Sequence, residues 1–167
     1  ESMLFDEVTV LCEWPTAIIA QIDQRFMNLP EEVLILTLKL NQRYFCLKNS
    51  DETLASHFIF TTNVVIDNKN KEKIILDNEK LVKARLSDVE FFIQEDLKLP
   101  LISRLEDLKK IVFHQKLGSV YDKTLRLTIL AKFLSIFVPR CDLSLVERSV
   151  DLCKNDLPTK TIGELPE

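Results

Sequence analysis

The sequence contains only two glycines, Gly118 and Gly163, among its 167 residues. Loops that cradle phosphate groups need several closely spaced glycines, since a backbone without Cβ atoms can approach the phosphate closely. Two glycines 45 positions apart exclude such a loop of either the Walker or the dinucleotide type. The sequence therefore offers no nucleotide-binding loop.

Cysteine and histidine are also sparse. The two histidines are His57 and His114, neither followed by Asp nor part of a His-Glu-x-x-His motif. Metal or acid–base chemistry needs several such groups to converge, and these isolated residues predict neither. No two cysteines have Cys-x-x-Cys spacing. This predicts reduced, buried thiols rather than a disulfide framework or a zinc site. The four cysteines are Cys12, Cys46, Cys141 and Cys153.

No apolar run approaches the ~20 residues that a membrane-spanning helix requires. The densest run, Leu125 to Val138, is interrupted by Arg126 and Lys132. With no signal-peptide pattern either, we expect a cytoplasmic protein without a membrane partner. The formal net charge of −4 argues against a dedicated nucleic-acid domain but permits a local basic stripe.

The first part of the sequence mixes helix and strand patterns. Apolar spacing predicts a helix over 2–12, and the β-branched run 16–22 predicts a buried strand. A helix is expected from Pro30, where Glu31 and Glu32 suit the first turn. Two further strands, 43–47 and 57–65, are expected on either side of a turn at 49–52.

From Ile74 onward the patterns are helical throughout. A polar loop over 67–73 leads into a helix, in which Val82, Leu86, Val89 and Ile93 repeat at helical spacing, and Pro100 begins another. The stretch 121–138 is apolar on most of its circumference, which predicts a central buried helix, and 142–153 predicts a further one. We predict an α+β fold with a mixed part over 1–97 and an all-helical part over 98–167.

Several cations stand where neither core nor turn demands them. Lys80 and Arg85 share one helical stretch, and Lys116, Lys123 and Arg126 surround Gly118, where we expect a turn between two helices. One interpretation is a solvated surface with local ion pairs, for example Asp122 with Arg126. The other is phosphate contact with a folded RNA. The residues alone leave both open.

The amino-acid sequence resembles that of the bacterial glycyl-tRNA synthetase β subunit along nearly the whole length of the chain. Separate blocks in the same order carry this resemblance, which is more specific than one short motif. They include Cys12-Glu13-Trp14-Pro15, Gln42-Arg43-Tyr44-Phe45, Asn78-Glu79-Lys80-Leu81-Val82-Lys83-Ala84-Arg85-Leu86-Ser87-Asp88, Val112-Phe113-His114-Gln115-Lys116-Leu117-Gly118 and Cys153-Lys154-Asn155-Asp156-Leu157.

The resemblance implies a segment of the tRNA-binding subunit of an α2β2 enzyme that attaches glycine to tRNA-Gly. The α subunit would hold the active site and use ATP and magnesium, and this segment would carry no catalytic residue and no cofactor. Its expected partners are the α subunit, a second β subunit and tRNA-Gly. The fold implied is the end of a tRNA-editing-like domain followed by the first helices of an HD-like domain.

Three positions depart from the family pattern: Asp77 and Glu52 replace glycines, and Pro158 falls where a helix is expected to continue. The His-Asp doublet that HD phosphohydrolases need for metal is absent, which argues against that activity. A detached, non-catalytic interaction or scaffold module remains the alternative. If the chain binds tRNA, we expect contact through Lys116, Lys123 and Arg126, aided by Lys80 and Arg85.

Overall fold

A computed structural model describes residues 2–67 and 69–166, leaving out the side chain of Ser2. Asn68, in the loop predicted over 67–73, lies outside the described residues. Contacts along the chain define two compact units, one up to Phe91 and one over Phe92–Pro166. Each unit is described by itself. The predicted assignment of 1–97 to an editing-like domain and 98–167 to an HD-like domain stays a prediction.

The first unit combines helices with a three-stranded antiparallel sheet of order β1-β3-β2. Strand β3 is central, and pairs run from Thr16↔Thr62 on one side and Phe45↔Ile59 on the other. The elements are α1 (Ser2–Leu11), β1 (Thr16–Gln21), a 3-10 helix (Gln24–Asn28), α2 (Glu31–Leu36), a π-helical segment (Thr37–Asn41), β2 (Phe45–Lys48), β3 (Leu54–Thr62) and α3 (Lys71–Leu97), whose end belongs to the second unit.

The core of this unit lies between the inner face of the sheet and the helices. Phe58 is fully buried in β3, and its ring stacks on that of Tyr44 with centroids 4.9 Å apart. Helix α3 contributes Val82 and Leu86, two of the periodic apolar residues that predicted it. The prediction of a buried β1 was wrong in part. Only alternate residues of β1 are buried, because one face of the strand meets the core and the other carries the exposed Ile19.

The turn between β2 and β3 was predicted correctly. It also shows why the family pattern has glycine at the position that Glu52 occupies here. Glu52 has a φ of 67°, the left-handed conformation that glycine adopts most easily. The Asp51 carboxylate accepts hydrogen bonds from the Thr53 amide and hydroxyl, which closes the turn. Asp77, in contrast, lies within α3, so no turn glycine is required there.

The second unit contains short elements around one longer helix. They are a 3-10 helix (Leu101–Lys110), β4 (Val112–His114), β5 (Gly118–Ser119), α4 (Val120–Ser135), α5 (Leu143–Leu152) and α6 (Lys160–Glu164). The helices after Pro100 and Asp142 are confirmed, although the first is of the 3-10 type. The antiparallel β4–β5 hairpin was missed, since its strands are too short to show an alternating pattern. Pro158 lies between α5 and α6 and interrupts neither.

Helix α4 is confirmed, but its predicted burial was wrong. Of its side chains, Val120, Thr124 and Ser135 are buried, whereas Ile129 is 72% and Phe133 58% exposed. The helix is apolar around most of its circumference. The 3-10 helix, the hairpin and α5 contact it along part of that surface only, within the described residues. The mixed α+β class is therefore confirmed.

A largely buried ion pair lies within the second unit. Arg104 and Asp96 have side chains only 11% and 13% exposed, and Arg104 Nη2 lies 2.9 Å from Asp96 Oδ1. The same carboxylate accepts hydrogen bonds from the amides of Lys160 and Thr161 and from the Thr161 hydroxyl. Asp96 thereby joins the end of α3 to the beginning of α6, where an anion also suits the helix dipole.

Candidate functional site

The β4–β5 hairpin and the first turns of α4 position three of the five predicted site residues. Lys116 is in the turn of the hairpin, and Lys123 and Arg126 follow on α4. Arg126 Nη1 donates a hydrogen bond to the Leu117 carbonyl at 2.9 Å, which holds the guanidinium against the hairpin. The role predicted for these three cations stays a prediction, and the predicted turn between two helices was wrong, because the turn lies between strands.

The hairpin joins α4 through a capping box. Ser119 Oγ accepts a hydrogen bond from the Asp122 amide at 3.2 Å, and Asp122 Oδ2 accepts from the Ser119 amide at 2.7 Å. These reciprocal bonds fix the direction in which α4 leaves the hairpin. Lys123 and Arg126 therefore project from a defined helix start.

Gly118 is required at this junction. Its φ of +83° is in the left-handed region, and a Cβ atom added there would meet the Asp122 carboxylate. Any side chain would strain the backbone and displace the acid of the capping box. One of the two glycines in the sequence thus stands where the site geometry needs it.

The Asp122 carboxylate does not form the ion pair with Arg126 that one interpretation expected. Hydrogen bonds from the Ser119 amide and hydroxyl, with smaller effects from Arg126 and Lys109, outweigh desolvation and lower the pKa of Asp122. Within the described chain, no carboxylate forms an ion pair with Lys116, Lys123 or Arg126. Their positive charges are therefore available to an external anion.

The segment that contains the hairpin, residues 109–126, is also the most basic part of the sequence. Residues 109–126 contain five Lys and Arg residues and one acid, Asp122, in a chain whose net charge is −4. Two of the five are partly neutralised: Lys109 and Lys110 pair with Glu106 and Asp107 at 2.5 and 2.7 Å. We call residues 109–126 the cationic hairpin.

Lys80 and Arg85 belong to the first unit, on α3. Lys80 is 3.6 Å from Asp77 and lines a cavity of about 400 Å³ with Asp23 and Lys83. Arg85 is exposed on the same helix. The structure thus does not unite these two cations with the other three in one compact unit.

Sequence reasoning missed two aromatic side chains at the site. Lys123 Nζ lies 4.4 Å from the centroid of the Phe113 ring, which is 43% exposed. His114 is exposed, and its Nδ1 accepts a hydrogen bond from the Lys116 amide at 3.1 Å. The available signal was the run Phe113-His114-Gln115-Lys116, which places aromatic rings beside a cation.

The described residues show no metal centre. Over 2–67 and 69–166, no group of three or more His, Cys, Asp or Glu side chains is placed to hold a metal ion. In the same ranges, no helix is both long and apolar enough to cross a bilayer. The predicted absence of a cofactor in this segment stays a prediction.

Comparison with known proteins covers the whole chain. The family model described as "Glycyl-tRNA synthetase beta subunit" matches residues 1–167. The chain is also similar to three curated relatives over 98% of its length. It is 44% identical to the glycine–tRNA ligase beta subunit of Acinetobacter baylyi, 42% to that of Pseudomonas putida and 43% to that of Acinetobacter baumannii. The chain spans about a quarter of the length of these relatives, 23–24%. Because the family model matches the entire chain and the relatives exceed 40% identity over 98% of it, the chain belongs to the glycyl-tRNA synthetase beta subunit family.

Proposed function

We propose that this chain acts within the β subunit of a glycyl-tRNA synthetase and binds the backbone of tRNA-Gly through the cationic hairpin. The observation that carries the proposal is the group of Lys116, Lys123 and Arg126, with which no carboxylate of the described chain forms an ion pair. Lys and Arg side chains in such an arrangement position a phosphate backbone without reading bases. Arg126 adds a planar fork that suits phosphate oxygens.

In this proposal the chain supports the attachment of glycine to tRNA-Gly but carries no catalytic residue. The α subunit activates glycine with ATP and magnesium, and two α and two β subunits assemble in the cytoplasm. The relatives are named as beta subunits of glycine–tRNA ligase, which supports a second kind of subunit as partner. An HD-like arrangement of the second unit is part of the same proposal.

A tRNA-binding experiment tests the proposal. We expect Lys123→Ala with Arg126→Ala to weaken tRNA-Gly binding and to reduce the log–log salt slope by about 1.4–1.8, since each neutralised phosphate contributes about 0.7–0.9. Affinity is measured for the chain and for the complete β subunit at several salt concentrations. Lys48→Ala with Lys98→Ala is the matched control, because both lysines already pair with carboxylates outside the hairpin.

Two results would contradict this role. One is a double variant that keeps both its affinity and its salt slope. The other is a loss of affinity that accompanies a lower melting temperature, since Arg126 would then act through its bond to Leu117 and stabilise the hairpin only.

The alternative role, a protein-interaction module, has separate support in the exposed apolar residues of α4, such as Ile129 and Phe133. Exposed apolar surface of this kind marks protein contacts. Aminoacylation of tRNA-Gly by the α subunit with the complete β subunit separates the two roles. If the segment is a scaffold that does not contact RNA, the Lys123→Ala, Arg126→Ala variant keeps its aminoacylation activity. If the segment binds RNA, that activity is lost.

A further inference from the structure

The cationic hairpin combines positive charge with exposed rings, which a purely backbone-binding surface does not need. Phe113 is 43% exposed although it lies beside the charged Lys123, and Val112 and Leu117 on the same hairpin are 73% and 51% exposed. A solvated basic surface gains nothing from these apolar groups. Their position therefore indicates a ligand that has both phosphates and flat apolar faces.

Hydrogen bonds close the hairpin that carries these two rings. The Lys116 amide donates to His114 Nδ1, and the Leu117 amide donates to the His114 carbonyl at 3.0 Å. At the other end of the hairpin, the Val120 amide donates to the Ile111 carbonyl at 2.8 Å. Phe113 and His114 thus stand on a closed hairpin, which lowers the entropy cost of binding a flat group.

Charge distinguishes RNA from a protein partner here. The hairpin carries five cations and one acid, and Lys116, Lys123 and Arg126 lack carboxylate partners within the described residues. Protein interfaces typically exclude charged residues from their centre. Surfaces for single-stranded nucleic acid combine a cationic groove with aromatic rings on which bases stack. Duplex RNA keeps its bases stacked inside and offers mainly backbone.

We infer that the cationic hairpin binds unpaired nucleotides of RNA, with a base stacking on Phe113 and the adjoining phosphates contacting Lys116, Lys123 and Arg126. This rests on the proposed RNA-binding function and adds the structural class of RNA bound. Lys123 Nζ lies over one face of the Phe113 ring, 4.4 Å from its centroid, so a base would stack on the other face while the ammonium group stays beside the ring.

The test compares two probes on the 167-residue chain. One is a single-stranded oligoribonucleotide of about ten nucleotides, within the usual site size, and the other is a blunt RNA duplex of similar total charge. Fluorescence anisotropy at several salt concentrations gives affinity and slope for each. We expect tighter binding to the single strand, and a loss of about fivefold to hundredfold for that probe in Phe113→Ala. Duplex affinity and both salt slopes are expected to stay unchanged.

Two further variants identify the cause. Phe113→Tyr keeps the ring and is expected to bind like the parent, whereas Phe113→Leu keeps apolar area without a π face and is expected to behave like Phe113→Ala. Equal binding by Phe113→Leu and the parent would show a non-aromatic contact and overturn the inference. A Phe113→Ala variant with unchanged RNA affinity but altered sedimentation would assign the ring to a protein contact and also overturn it.

The outcomes keep this inference separate from the proposed function. If the single strand and the duplex bind equally and Phe113→Ala has no effect, stacking is wrong while backbone binding stands. If the parent binds neither probe and Lys123→Ala with Arg126→Ala leaves tRNA-Gly binding unchanged, the RNA-binding function itself fails. A Phe113→Ala variant with a lowered melting temperature and equal losses for both probes would make the ring structural, which overturns the inference.

Discussion

Replacement of Asp96 by alanine is expected to lower the free energy of unfolding of the second unit by about 3–5 kcal/mol. The carboxylate lies 2.9 Å from the largely buried Arg104 and also accepts the amides of Lys160 and Thr161. Its removal leaves a buried guanidinium without a counter-charge and the beginning of α6 without its acceptor. Arg104 would keep only the Asp96 backbone carbonyl as an acceptor, 3.2 Å from Nη2, and its buried Nε atom already has no hydrogen-bond partner.

Urea denaturation followed by circular dichroism measures this loss, and hydrogen exchange localises it. The amides of Lys160 and Thr161 are expected to lose protection first, since Asp96 is their acceptor. Asp107→Ala is the matched control, because its partner Lys110 is exposed and the pair is a surface contact on the 3-10 helix. Equal stability of Asp96→Ala and Asp107→Ala would show that the buried pair is not stabilising.

The same carboxylate gives the unit a dependence on pH. Burial raises the pKa of Asp96, but hydrogen bonds from Thr161 and Lys160 and the charge of Arg104 outweigh it, so the pKa lies below its usual 3.8. A depressed pKa in the folded state means that Asp96 stabilises the fold above about pH 4 and that this contribution is lost as the pH falls through the folded pKa. The Asp96→Asn variant is expected to lack that part of the acid-induced loss.

Replacement of Phe58 by alanine is expected to destabilise the first unit by about 3–5 kcal/mol. Phe58 is completely buried at the centre of β3, and its ring contacts those of Tyr44 and Phe60. The substitution removes the transfer free energy of a whole ring and leaves a cavity between the sheet and the helices. Strand β3 pairs with both neighbours, so a shift of its backbone to fill the cavity would disturb the entire sheet.

Calorimetry and urea denaturation give the size of the effect. Phe5→Ala on α1 is the matched control, because the same side chain is removed from a position that is 63% exposed. Its effect is expected to stay below about 1 kcal/mol, as is usual for exposed positions. Similar losses in the two variants would mean that Phe58 does not anchor the core.

Local patterns predicted most of the fold. The Val82, Leu86 and Val89 spacing indicated α3, Asp142 marked the beginning of α5, and the polar turn at 49–52 indicated the β2–β3 hairpin, all of which the structure confirms. Burial was harder to predict, because it depends on what packs against an element. The apolar composition of α4 predicted a helix correctly but not the exposure of Ile129 and Phe133.

The candidate site was predictable in its charges and not in its shape. Lys116, Lys123 and Arg126 were placed together by their sequence distance from Gly118. The bond from Arg126 to the Leu117 carbonyl depends on the hairpin, whose two-residue β5 strand is too short to predict from alternation. The expected Asp122–Arg126 pair was wrong, because the capping box already occupies the Asp122 carboxylate.

Among the residues that the structure describes, three other than glycine hold left-handed backbone conformations: Arg43, Glu52 and Arg140, with φ of 56°, 67° and 58°. Each costs about 1–2 kcal/mol in local strain, while a glycine there would cost only about 0.5–1 kcal/mol in entropy. Replacing one of these residues by glycine is therefore expected to stabilise the chain. The stability lost through a substitution elsewhere can be restored by glycine at one of these positions. Tolerance of mutation in this family member therefore depends on its turns as well as on its core.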